Sequence, residues 1–216
     1  MLPLALALAA AASVPPCDLG HLARCPDTNA LVWSKGWDKA VRDFLGPLGS
    51  KRVDYLDRGG TLSSAVAAVL GGPPDERARA GEYYRFSACR AHSCPEKGAV
   101  LLTPNGRIQA IAVLHSDCAK MPTPDHCFLH DHLVVIVRDL KITRKAVGYL
   151  TDWAKKAEAA DHAAYHQPAS RLDGVEVLHV GGRGGIRTHG ELAPTAVFKT
   201  AALNHSATRP FPGASA

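Results

Sequence analysis

The sequence lacks the marks of most enzyme classes. No His-Glu-x-x-His pair is present, so a helix-borne catalytic zinc is excluded. No Gly-x-Ser-x-Gly elbow offers a hydrolase nucleophile, and no glycine-rich loop ending in Lys-Ser or Lys-Thr offers a phosphate cradle. Charge of one sign is scarce. The formal net charge is +5 over 216 residues, and no basic run has the density that nucleic acid requires. Residues 171–216 hold five Lys/Arg and three Asp/Glu, which leaves about +3 for the rest. No apolar run is long enough to span a bilayer, and there is no internal repeat.

What is present reads as one exported domain with appendages. Hydrophobic content of 46% and charge of 21% suit a globular chain. Met1 to Ala12 is almost wholly Leu and Ala, and Ala10-Ala11-Ala12-Ser13 offers small residues for cleavage. Residues 1–16 are therefore expected to be a signal peptide, although no Lys or Arg precedes the apolar run. Val14-Pro15-Pro16 lacks the small residue that a lipidated Cys17 would need beside it. Six cysteines, at 17, 25, 89, 94, 118 and 127, favour disulfides in an oxidising compartment, periplasmic or secreted. Nearest-neighbour pairing (Cys17 with Cys25, Cys89 with Cys94, Cys118 with Cys127) is the preference among fifteen arrangements.

The pattern along the chain predicts an α+β fold: an antiparallel β-sheet meander with flanking helices, disulfide-stapled, followed by a disordered C-terminal tail. Ser34 reads as the N-cap of a first helix, with Trp33, Trp37, Val41, Phe44 and Leu45 recurring at helical spacing toward a core. Leu62 to Leu70 reads as a second helix, closed by Gly71-Gly72-Pro73-Pro74. Strands are expected at Glu82 to Ala88, Gly98 to Thr103, Arg107 to His115 and Leu133 to Val137, with a turn at Pro104-Asn105-Gly106. In the third strand Ile108, Ala110, Ala112 and Leu114 share one face. Thr143 to Ala160 closes the domain as a helix, with Thr143 as its cap and Ala146, Leu150, Trp153 and Ala157 on one face. The domain is drawn at 17–165.

Residues 166–216 are assigned to the tail. Gly185-Ile186-Arg187-Thr188, Phe198-Lys199-Thr200 and Leu203-Asn204-His205-Ser206-Ala207 can be encoded by complements of a tRNA T-loop, anticodon loop and D-arm, in antisense order. Residues 181–210 thus resemble translation across a tRNA gene on the opposite strand. On that reading the sequon at Asn204 carries no function and nothing has selected the tail to bury a core. The nucleotide sequence tests this directly.

The densest chemical signal is Ser87-Ala88-Cys89-Arg90-Ala91-His92-Ser93-Cys94. Two cysteines five apart can close a small loop presenting one basic and one imidazole side chain at its tip. Together with Tyr84-Arg85-Phe86, this segment resembles the signature of the inhibitor of vertebrate lysozyme (Ivy) family, whose Ser-Ala-Cys-Lys-Pro-His-Asp-Cys lies between two strands. Weaker likeness covers Lys39 to Leu45, Gly59-Gly60-Thr61 and Glu82-Tyr83, within about residues 33–140. The resemblance implies a periplasmic α+β protein that blocks a lysozyme by inserting the loop into its active-site groove. It further implies a Cys89–Cys94 disulfide, with His92 meeting the enzyme's carboxylates and Arg90 keeping the charge of the family's lysine. Ala91 stands where the family has proline, and Ser93 where it has aspartate. The expected partner is a lysozyme, with no nucleic acid, no stable membrane insertion, no cofactor and no catalytic residue; a homodimer stays open.

Two other readings compete. A periplasmic structural or binding protein could keep the fold without inhibiting. Alternatively His115, Cys118, His126, Cys127, His130 and His132 could supply a tetrahedral zinc site, although their spacing matches no standard finger. In an exported chain Cys118 and Cys127 are better used as a disulfide around Pro122 and Pro124.

Overall fold

Alternation of apolar residues in the second half of the chain places two hydrophobic faces on every central strand, so both faces need a cover. A computed structural model describes residues 16–116, 130–165 and 171–181 and shows how they are covered. The first half forms α1 (Thr28–Val32), α2 (Trp37–Leu45), a two-stranded ribbon of β1 (Arg52–Val53) and β2 (Gly60–Thr61), and α3 (Leu62–Leu70). The second half forms β3 (Ala78–Ala80), β4 (Tyr83–Arg90), β5 (Ser93–Leu102), β6 (Ile108–Ser116), β7 (His130–Val137), α4 (Thr143–Tyr165) and β8 (Arg171–His179). The six strands β3 to β8 make one sheet in sequence order.

One face of the sheet carries Phe86, Val100, Ile111, Val113 and Ile136 against Leu31, Phe44, Leu62 and Val66 of the first three helices. The other face carries Leu101, Ala110, Ala112, Leu114 and Val135 against Ala146, Leu150 and Trp153 of α4. Each such fully buried aliphatic or aromatic side chain contributes about 1.5–3 kcal/mol of hydrophobic stabilisation. Ala110, Ala112 and Trp153 belong to the same buried cluster, with Trp153 on the face that the helical spacing of α4 predicts. No helix among the described residues is long and apolar enough to cross a membrane.

Four local expectations need correction. Residues 171–180 are not tail. β8 pairs with β7 in parallel, and Leu172, Val177, Leu178 and Val180 are buried, so the sheet is mixed and the folded part runs past residue 165. A parallel neighbour requires a long crossover, and α4 provides it by returning the chain to the start of β7. Ile108 packs on the helical face opposite to Ala110, because the β5–β6 register shifts between Leu101 and Leu102. A bulge adds one residue and so reverses which side the earlier side chain takes. Trp33 is 81% exposed, not core. The helical run breaks after Val32, and Trp37 alone of the pair turns inward. Finally, Ser34 and Thr143 are not N-caps. Asp27 caps α1 through a 2.8 Å bond from the Ala30 amide, Gly36 precedes α2, and Thr143 opens α4 from inside.

The expected signal peptide, the 118–127 disulfide and the residues from 182 onward lie outside the described residues.

Candidate functional site

The β4–β5 hairpin joins an aromatic-rich strand, with Tyr83, Tyr84 and Phe86, to one whose second half is small and aliphatic, Gly98 to Leu102, paired from Tyr84↔Leu102 to Cys89↔Lys97. The pairing then slips and resumes at Arg90↔Ser93. Cys94, Pro95 and Glu96 are the extra residues on β5. Proline suits a bulge, because it has no amide to leave unpaired. The slip brings Cys94 beside Cys89, and the two are disulfide-bonded with Cα atoms 4.7 Å apart. Ala91 and His92 make the two-residue tip, both exposed. Cys17 and Cys25 form a second disulfide near the chain start.

His92 has φ +66°, the one positive value among non-glycine residues described. The left-handed region costs a residue with a Cβ about 1 kcal/mol relative to glycine. No described residue hydrogen-bonds the His92 ring, and the residue is exposed.

Arg90 is not at the tip. Its guanidinium folds back, with Nη1 donating to Glu96 Oε2 at 2.8 Å and Nη2 donating to both oxygens of Asp57 at 3.0 and 3.1 Å. The Glu96 carboxylate first, then Asp57, hold Arg90 more firmly protonated than an ordinary guanidinium. The expectation of a basic side chain presented beside the imidazole is corrected accordingly: two carboxylates inside the molecule already occupy it.

A third brace comes from the segment after α3. The Cys89 amide donates to the Pro73 carbonyl at 3.0 Å, and the Asp75 amide donates to the Ser87 carbonyl at 2.8 Å. Ser87 Oγ donates to Asp75 Oδ2 at 2.6 Å, and Thr28 Oγ1 also donates to the Ser87 carbonyl. A Cβ on Gly72 would stand 2.1 Å from the Cys89 carbonyl oxygen and 2.6 Å from the Ala91 nitrogen. Sequence reading took Gly71-Gly72-Pro73-Pro74 only as a helix stop. The missed signal is that two glycines before two prolines allow a backbone to lie flat against its neighbour.

Of the histidines proposed as metal ligands, His115, His130 and His132 gather at the same end of the sheet. His115 is buried and pairs across the strands with His132. Its ring stacks on Tyr55 at 4.7 Å and faces His132 at 6.0 Å. His130 Nδ1 lies 2.5 Å from Asp173 Oδ2. Among the described residues no three potential ligands are grouped to hold an ion. Cys118, His126 and Cys127 lie outside the described residues.

A separate open groove of about 280 Å³, between α2 and the β5–β6 turn, includes Asp43, Phe44, Arg107 and Arg138. Arg138 donates to the carbonyls of Asp43 and Phe44, so it serves as a cap for α2. The groove lies at the opposite end of the sheet from the hairpin tip.

On the hairpin, then, a single imidazole projects from a turn held by a disulfide, an arginine clamp and a glycine-proline strap. Comparison with protein-family models, with curated proteins and with solved structures finds no match.

Proposed function

We propose that this protein is an exported lysozyme inhibitor that inserts the Cys89–Cys94 hairpin into the enzyme's active-site groove. The observation that carries the reading is His92: an exposed imidazole with no partner among the described residues, held in the left-handed region at the apex of a covalently closed turn. A glycosidase groove contains two carboxyl groups roughly 5–9.5 Å apart, one of them protonated. An imidazole can donate to one and exchange a proton with the other, and such charge-assisted bonds strengthen when water is excluded. Ring closure over six residues removes about 2 kcal/mol of loop entropy in advance. A rigid loop then loses less freedom on docking, which is how inhibitor loops gain affinity.

Arg90 contributes by bracing the loop and not by touching the enzyme. The net charge of the domain is positive and so does not steer it toward a basic lysozyme; association proceeds at an unsteered rate and affinity resides in slow release. The test is a muramidase assay against a panel of lysozymes, with and without reductant. Inhibition of at least one, lost on reduction and lost in His92→Ala, supports the proposal. Absence of inhibition across the panel overturns it in favour of a binding or structural protein with the same hairpin.

A further inference from the structure

The Arg90 clamp reaches outside the hairpin. Asp57 lies 33 residues earlier, in the loop between β1 and β2. That loop is closed on itself: Asp54 Oδ1 accepts the Gly59 amide at 2.7 Å, and Arg52 Nη1 donates to the Gly59 carbonyl at 2.7 Å. It is also anchored at the other side of the sheet end. Tyr55 stacks on His115, and its hydroxyl donates to Glu176 Oε2 on β8 at 3.1 Å. Residues 54–59 are therefore tied to β6, to β8 and, through Arg90, to the hairpin.

We propose that Asp57 and Glu96 are positioning residues for His92, acting through Arg90, and that the 54–59 loop is a buttress fixing the angle at which the imidazole is presented. The proposal rests on the hairpin being the functional site. An exposed Arg–Asp pair alone would contribute little. Here one guanidinium joins two carboxylates from separate segments: the Arg90 side chain is only 27% exposed and that of Glu96 16%, while Asp57 reaches in from solvent at 70%. Taking away the cation leaves the shielded Glu96 and the exposed Asp57 as neighbouring like charges with nothing between them. They would drive the buttress from the hairpin. Gly72 and Pro73 hold the hairpin from another side, so it would pivot on that strap and not unfold.

This gives a signature that simple loss of a stabilising contact lacks. Arg90→Ala is expected to weaken inhibition about tenfold, through faster release with unchanged association. Asp57→Ala should weaken it about threefold. The double variant Arg90→Ala, Asp57→Asn should recover part of the Arg90→Ala loss, because the repulsion is gone. In the free protein, backbone ¹⁵N order parameters at His92 and Ser93 should fall in Arg90→Ala and rise again in the double variant. A double variant additive or worse than Arg90→Ala in these order parameters, or an unchanged hairpin in Arg90→Ala, overturns the proposal. The order parameters need no lysozyme, so they decide the buttress even if no enzyme is inhibited.

Discussion

Gly72 lies directly against Cys89, close enough that the smallest side chain would collide with the carbonyl oxygen of the disulfide-bonded residue. The obstruction is backbone on both sides, so neither segment can give way by rotating a side chain. Gly72→Ala should therefore move the hairpin. We expect a loss of about 1–3 kcal/mol in denaturant unfolding, the usual cost of overpacking. Inhibition should fall with it. Gly71→Ala, whose nearest conflict is with the helix carbonyl of Ala67, serves as the comparison. Equal stability of Gly72→Ala and wild type would show that the strap is loose.

At the tip, stability and activity should part company. His92→Gly relieves the positive φ and should raise stability by up to about 1 kcal/mol, while removing the imidazole should abolish inhibition. Thermal unfolding and muramidase inhibition measured on the same sample check both halves. A glycine variant that still inhibits would mean the ring is not the contact.

Glu158, on α4, gives a pH dependence. Burial first, and then the nearby Asp131 carboxylate, raise its pKa from the ordinary value to about 7. A raised carboxylic acid favours the folded state while protonated. Its stabilising share is complete below the unfolded value near 4.5 and is lost as pH rises through about 7. Glu158→Gln should match wild type near pH 4.5 and exceed it at pH 8. The side chain is only partly buried, so screening reduces the gain to about 1 kcal/mol. Unfolding midpoints across that range test the sign: a larger gain at low pH would contradict it.

Truncation locates the end of the folded part. A chain ending at Gly181 should retain the full cooperative transition, since Val180 is the last described residue buried in the core. One ending at Tyr165 removes β8 and uncovers apolar surface on β7 and α4. It should lose several kcal/mol and aggregate. Circular dichroism melts of the two fragments distinguish them. A stable 165-residue fragment would show that β8 is dispensable.

The parts of this architecture legible in the sequence are those set by neighbouring residues. Phe86, Val100, Leu114 and Ile136 stand in strands whose alternation announces them, and Trp153 sits on the helical stripe that buries it. The hairpin of Cys89 and Cys94 is equally local. What escaped depends on distant partners. Nothing near Asp57 signals that it will meet Arg90, and nothing near Gly72 signals contact with Cys89. Leu172 to Leu178 carries a glycine, Gly174, and two acids that blur a strand signal, and only pairing with β7 gives it order. Ile108 lies on the side opposite to its period-two expectation because one bulge residue reverses the pattern. The inward turn of Arg90 is not legible from the motif, because its two carboxylates come from the distant 54–59 loop and from the bulge.

The left-handed turn at His92 has a consequence for lineages descended from this one. Mutation at that codon is filtered by the backbone before any partner is met: glycine gains, asparagine and aspartate are tolerated, and branched residues are penalised. If the proposed role of the imidazole holds, a line freed from it would drift toward glycine or asparagine, and the residue found there in diverged descendants would report on that role.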